Sequence, residues 1–209
     1  LDFAFSDLFY VQGQGFIGRH NDFLEDVLHD RAKQLVIGFG VLAIAGFLLS
    51  LLPTRLRPLR RTLGYLVLAM GLSAGFVTPL KKVSQMHCPW SLQQYGGVEH
   101  FSPLLGPRAE PVEKPGNCWP GGHAAAGFAL FALFFALRNC HPRSARAALI
   151  AALTLGALFS LVRIAQGAHF LSHNLWTALL CWLICLGLYD AMLYRPQRAA
   201  LALPAAARA

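Results

Sequence analysis

Apolar residues along this chain are collected into five long runs that contain no charged residue. Each run lasts roughly 16 to 19 residues, close to the ~20 that a helix needs to cross about 30 Å of hydrocarbon. The runs cover residues 35–52, 62–80, 122–137, 147–162 and 174–189. This pattern predicts an all-α fold, a polytopic membrane helix bundle with five visible spans.

Composition and charge favour a membrane protein over the alternative, a soluble all-α protein with fully buried helices. Hydrophobic residues make up 56% of the chain and charged residues only 13%, and soluble chains rarely contain five helices this apolar. Arginines concentrate in every second connection, which is the positive-inside pattern of cytoplasmic loops. These connections are 53–61, 138–146 and the segment from 195 onward. Residues 1–34, 81–121 and 163–173 are then external, or periplasmic in a bacterial inner membrane.

The organisation along the chain indicates a single membrane-embedded domain over residues 1–209. Residues 1–34 mix phenylalanine and leucine with acidic residues, which predicts an external amphipathic arm on the membrane surface, with an ordinary packed arm as the alternative. Residues 81–121 form one long external loop, and 195–209 form a cytoplasmic tail. Because the predicted start of the chain is external, we expect a further N-terminal span in the full-length protein, which would then have six spans.

Charge and cysteine placement narrow the partners and the compartment. The net charge of +8 comes from arginines in short loops beside the spans, so the sequence predicts a lipid bilayer and no nucleic acid as partner. Cys88 and Cys118 both fall in the external loop, where an oxidising compartment permits a disulfide. A Cys88–Cys118 disulfide would close about 30 residues and contribute on the order of 3 to 4 kcal/mol. Two free thiols are the alternative.

Three segments rich in cations and imidazoles are predicted to converge at the external helix ends. They are KKVSQMHCPW at 81–90, CWPGGHAAAG at 118–127 and LVRIAQGAHFLSHNLW at 161–176. Together they supply Lys81, Lys82, His123, Arg163, His169 and His173. Such a set suits a phosphate, because lysine and arginine neutralise its charge while Gly121 and Gly122 let backbone N–H groups approach the anion. Two histidines can then act as nucleophile and general acid.

In order and spacing, these segments resemble the three motifs of the phosphatidic acid phosphatase type 2 (PAP2) superfamily of membrane phosphatases. The first motif is a lysine, six residues, then Arg-Pro, and here it is Lys81, six residues, then Cys88-Pro89. The second, Pro-Ser-Gly-His, matches residues 120–123. The third, Ser-Arg, five residues, His, three residues, Asp, matches residues 162–173.

The resemblance implies a role for each matching residue. His169 is expected to be the nucleophile that forms a phosphohistidine, and His123 the general acid that protonates the leaving oxygen. Lys81 and Arg163 are expected to bind the phosphate. Lys82 is expected to be an anchor at the end of a span instead.

The motifs also depart from the family pattern at three positions. Cys88 stands where the family has a phosphate-binding arginine, and Gly121 replaces a serine while its backbone N–H remains. His173 replaces the aspartate that would orient His169, and a neutral His173 could accept the proton of His169 Nδ1 from one helical turn away. The acidic residues that could substitute for this aspartate lie in the long loop. They are Glu99, Glu110 and Glu113.

The function expected from these observations is removal of a terminal phosphate from a lipid phosphate or diphosphate at the periplasmic face, with no cofactor and no metal. The resemblance implies phosphatidate, a polyprenyl diphosphate or the phosphates of lipid A as candidate substrates. The alternatives are a lipid phosphotransferase of the same fold and a lipid-binding relic that has lost turnover. A zinc enzyme, with His169, His173 and either His123 or His87 as ligands, is a further alternative. The sequence does not indicate an oligomeric state.

Overall fold

A computed structural model of the protein describes residues 1–19, 21, 32–104 and 115–202. Within these residues the chain forms nine α-helices, several short 3-10 or π turns and one small hairpin. The helices are α1 (Asp2–Ser6), α2 (Ala32–Leu51), α3 (Arg60–Gly75), α4 (Val77–Ser84), α5 (Gly122–Phe128), α6 (Phe131–Leu137), α7 (Pro142–Ala165), α8 (Leu171–Tyr189) and α9 (Arg195–Ala202). The antiparallel strands of the hairpin are β1 (Tyr10–Val11) and β2 (Gly15–Phe16). The predicted all-α membrane bundle is thereby confirmed.

Four helical stretches are long and apolar enough to cross a membrane. They are Gln34–Leu51, Arg57–Ser91, Pro142–Ala165 and Leu171–Arg198. The fifth predicted span, residues 122–137, forms α5 and α6, which together make a shorter apolar helix. This shorter helix contacts α3, α7 and α8, so it lies inside the bundle.

The bundle core consists of small and aromatic side chains of the α5–α6 helix packed against its neighbours. Ala125, Ala132 and Phe135 are almost completely buried there. The α5 and α7 backbones approach so closely that a Cβ at Gly127 would lie 2.5 Å from the backbone nitrogen of Gly156. Close contact through small residues is typical of membrane helices, because lipid tails provide little hydrophobic force to hold helices together.

The outer faces of the long helices carry large apolar side chains that the fold leaves uncovered. Leu42 on α2 is 69% exposed, Ile150 on α7 is 64% exposed and Leu183 on α8 is 51% exposed. In water such surfaces would favour aggregation, whereas in a bilayer they face hydrocarbon at no cost. The bundle therefore has apolar side chains on its outer surface as well as in its core, as expected of helices that span a membrane.

Residues 1–19, called the arm below, pack over one end of the bundle. An aromatic cluster joins the arm to the segments 90–95 and 167–170, with Phe16, Leu92, Tyr95 and Phe170 buried at its centre. The Gly18 N–H donates to the carbonyl of Ala165, 3.0 Å away. The arm is therefore fixed against the bundle by aromatic packing and by this backbone hydrogen bond. Residues 20 and 22–31 of the predicted arm lie outside the described residues.

Candidate active site

The three segments that carry the motif residues meet at one end of the bundle. Lys81 lies in the last turn of α4, His123 in the first turn of α5 and Arg163 near the end of α7. His169 follows in the turn between α7 and α8, and all three side chains act on it electrostatically. Residues separated by more than eighty positions in sequence therefore share one site.

His169 is buried, with only 3% of its surface exposed. The turn that holds it bends at Gly167, whose φ of 70° is in the left-handed region that favours glycine. Burial holds the pKa of His169 well below its ordinary value, and electrostatic repulsion, first from His173 and then from Lys81, lowers this pKa further. The ring is thus neutral at physiological pH and has a lone pair available for attack.

The tautomer of His169 is influenced by a sulfur atom. Its Nδ1 lies 3.7 Å from the Sγ of Cys118, and a sulfur of this kind is a weak hydrogen-bond acceptor. This contact favours a proton on Nδ1, which leaves the lone pair on Nε2. His169 would then present Nε2 as its nucleophilic atom.

His173 lies close to His169 but does not form the hydrogen bond expected from the sequence. The ring centroids are 5.9 Å apart at an angle of 65°. Neither nitrogen of His173 has a hydrogen-bond partner among the described residues, and the nearby backbone of Cys118 does not reach hydrogen-bond geometry. Only 1% of His173 is exposed. The structure therefore leaves a buried polar ring beside the candidate nucleophile without a fixed role.

Arg163 is held by two residues that sequence reasoning missed. Its Nη1 donates to Oε1 of Gln166 at 2.8 Å, and its guanidinium carbon lies 5.9 Å from the centre of the Trp90 ring. Gln166 is buried and lies one helical turn beyond Arg163. The spacing of three residues could have indicated this pair, whereas Trp90 comes from a different segment and no local pattern connects it with Arg163.

Comparison with known proteins identifies the family of the chain. The PAP2 superfamily model matches residues 62–197, which contain all three motif segments. The chain belongs to the PAP2 superfamily. A lipid A 4'-phosphatase of Francisella tularensis subsp. novicida (strain U112) is 28% identical over 204 residues, which cover 94% of this chain and 88% of that protein. No solved structure matches the chain. With its long apolar helices, this PAP2 protein is an integral membrane protein.

The first departure from the PAP2 motifs, Cys88, has a structural explanation. Cys88 forms a disulfide with Cys118. Near the bridge, the Cys118 N–H donates to the carbonyl of Met86 at 2.9 Å, and the Trp90 N–H donates to the carbonyl of Gly167 at 3.0 Å. The disulfide therefore joins the first motif of this PAP2 protein to the segment that leads into the second.

The second departure, Gly121, is explained by the side chains of α8. The Gly121 N–H donates to Oγ1 of Thr177 at 2.9 Å, so it is not open to an anion as the sequence suggested. A Cβ at this position would lie 2.3 Å from Oδ1 of Asn174. The space that the serine of the PAP2 motif would need is therefore occupied by Asn174. Gly122 is half-buried at the start of α5.

The carboxylates near the third departure are not those proposed from the sequence. Glu99 pairs with His87, with 3.5 Å between Oε2 and Nε2, and Glu110 and Glu113 lie outside the described residues. Instead, Asp2 of the arm accepts a hydrogen bond from the Ser172 N–H at 2.8 Å and acts electrostatically on His173. Because 170 residues separate the two partners, no local pattern could have indicated this contact.

The zinc alternative does not agree with the chemistry of the available donors. The ligand atoms of Cys118, His169 and His173 lie within 4.8 Å of one another. However, the Cys118 sulfur is bonded to Cys88 and cannot act as a thiolate ligand. The side chains of Lys81 and Arg163 add positive charge near His169, which disfavours a cation. The same charge favours an anion such as phosphate.

Proposed function

We propose that this PAP2 protein is a membrane phosphatase that removes a phosphate from a lipid phosphate through a phosphohistidine formed on His169. The observation that carries the proposal is a buried, neutral imidazole on which Lys81, His123 and Arg163 all act electrostatically. A neutral imidazole is nucleophilic, and positive groups attract and stabilise a phosphate. The family and its lipid A 4'-phosphatase relative support the same reaction class.

The proposed reaction has two steps, both at phosphorus. In the first, Nε2 of His169 attacks, the bond between phosphorus and the lipid oxygen breaks, and protonated His123 transfers its proton to that oxygen. In the second, water attacks the phosphohistidine while His123 removes a proton from the water. Inorganic phosphate leaves, and both histidines return to their starting states. Lys81 and Arg163 balance the charge on the equatorial phosphate oxygens throughout.

The proposed substrate is a phosphorylated lipid on the external leaflet, which is the periplasmic leaflet in a bacterial inner membrane. The relative named above supports the 4'-phosphate of lipid A as the first candidate. Phosphatidate and polyprenyl diphosphates are the other candidates. The proposed topology is supported by the arginine-rich connections. If these lie in the cytoplasm, as the positive-inside rule predicts, the motif segments lie on the opposite side.

The test is phosphate release from these lipids in detergent with EDTA present, with wild type compared with His169→Ala and His123→Ala. His141→Ala, a change at an exposed histidine before α7, is the matched control. We expect both site variants to lose at least a hundredfold in kcat and the control to retain full activity. A ³²P-labelled substrate should label wild type in an acid-labile form and should leave His169→Ala unlabelled.

The same experiment distinguishes the alternatives. Transfer of the label to an added lipid alcohol, with little free phosphate, would replace the hydrolase with a phosphotransferase. Lipid binding that persists in His169→Ala, with no turnover by folded wild type, would support a binding relic. Activity that EDTA abolishes and zinc restores would refute the metal-free mechanism.

A further inference from the structure

The PAP2 motif places a negative charge at the position that His173 occupies in this chain. As a result, the groups that act on His169 are all cationic or able to become cationic. They are Lys81 from α4, His123 from α5, Arg163 from α7 and His173 from α8. Attack on phosphorus turns the His169 ring into a phosphoimidazolium, and the phosphoryl group brings negative charge with it. The positive charge on the ring itself would be stabilised by a carboxylate close by.

Asp2 is a carboxylate fixed at the first turn of α8, beside this site. Its Oδ1 accepts from the Ser172 N–H at 2.8 Å, and its Oδ2 accepts from the Ser172 hydroxyl. Ser172 immediately precedes His173, on which the Asp2 charge acts. An acidic group at a helix N-terminus is also stabilised by the unpaired backbone N–H groups and the helix dipole.

The arm holds Asp2 in place through several independent contacts. The ring of Phe3 lies 5.3 Å from that of Phe170 and 5.0 Å from that of Phe101. The Tyr95 hydroxyl donates to Oδ1 of Asp7 at 2.8 Å. Phe170 in turn packs against His173, with 5.4 Å between their ring centroids. The position of Asp2 is thus set by the aromatic packing of Phe3, the next residue in the chain.

We propose that Asp2 supplies from the arm the negative charge that the family carries at position 173. Its carboxylate stabilises the positive charge that the His169–His173 pair acquires when His169 is phosphorylated. Asp2 acts through His173 and is therefore a positioning residue that does not touch the substrate. This inference rests on the proposed function, because it concerns the charge on the same nucleophile.

The test compares kcat and KM against pH for wild type, Asp2→Asn and Asp2→Glu in the full chain. Asp7→Asn is the matched control, because it removes a carboxylate that also anchors the arm but contacts Tyr95. We expect Asp2→Asn to lower kcat about tenfold with KM within twofold. We also expect the acid limb of its kcat profile to move to lower pH, because a lost negative charge makes protonation of the histidine pair harder. Asp2→Glu should restore part of kcat, and Asp7→Asn should leave the acid limb in place.

Two results would overturn the proposal. One is an Asp2→Asn profile that keeps the acid limb of wild type, and the other is an Asp7→Asn variant with the same shift as Asp2→Asn. Imidazole ¹⁵N titrations provide a readout without turnover, and the His169 midpoint should fall in Asp2→Asn and stay constant in Asp7→Asn. If wild type turns over no lipid, the proposed function fails, while this titration still decides the role of Asp2.

Discussion

Restoring the family serine with Gly121→Ser is expected to damage this protein. A Cβ at Gly121 lies 2.3 Å from Oδ1 of Asn174, whereas ordinary contacts begin at 3.4 Å. One of the two groups must therefore move by about 1 Å. Asn174 is buried in the first turn of α8, and its Nδ2 donates to the carbonyl of Phe170 at 3.1 Å. Any shift of Asn174 would therefore also displace the neighbouring His173.

The size of the effect follows from this clash. Overpacking of a tight site costs about 1 to 3 kcal/mol, and 1 kcal/mol corresponds to about 2–4 °C of melting temperature in a chain of this length. We expect Gly121→Ser to lower the thermal midpoint by roughly 2 to 12 °C. Gly122→Ser is the matched control for stability, because a Cβ there lies 3.4 Å from Val77, an ordinary contact.

The assay is a double-mutant cycle of thermal unfolding in detergent. Asn174→Ala alone should cost about 1 kcal/mol through its lost hydrogen bond. When it is combined with Gly121→Ser, the clash is removed, and we expect a favourable coupling of about 1 to 2 kcal/mol. A Gly121→Ser protein as stable as Gly122→Ser, with no coupling to Asn174→Ala, would refute the steric explanation of this departure.

Three further predictions concern the disulfide, the low pKa of His169 and the position of Arg163. Replacing Cys88 and Cys118 by serine should cost about 3 to 4 kcal/mol of stability, because the bridge closes a loop with a sequence separation of 30. Non-reducing mass mapping that finds both thiols free in wild type would contradict the disulfide. Because the pKa of His169 is well below its ordinary value, the unfolded chain binds more protons below about pH 6.5 than the folded chain does. The melting temperature should therefore fall as the pH is lowered, and it should fall less steeply in His169→Gln than in wild type. Thermal melts in which both proteins lose stability equally with pH would contradict this prediction. Arg163→Lys should lower kcat/KM about tenfold, because an ammonium cannot reproduce both the hydrogen bond to Gln166 and the stacking on Trp90; unchanged kinetics would show that charge alone is sufficient.

Much of the bundle could be predicted from the sequence because the signals are local. A charge-free run of helical length has one stable arrangement in hydrocarbon, since every backbone polar group must be satisfied within the segment. The motif residues could be assigned to one site because each lies next to the end of a predicted span. Residues 122–137 differ from the predicted spans, because they form a shorter apolar helix. A helix that is surrounded by protein can be apolar without being long enough to cross the bilayer.

Details of the site could not be predicted, because they depend on contacts between distant segments. The sequence indicated a free N–H at Gly121, but Thr177 of another helix accepts from it. It also suggested that His173 would bond His169, since a spacing of four residues brings two side chains close. His169 precedes the first residue of α8, however, so the two rings do not follow that spacing.

The sequence by itself determined the membrane bundle and the end of the bundle at which the motif residues meet, because hydropathy and motif spacing act over short stretches of chain. Only the tertiary structure decided which groups surround each of those side chains. Asp2 reaches Ser172 across 170 residues of sequence, and Asn174 fills the space beside Gly121. Such contacts arise from packing and burial, which bring together segments that share no local pattern.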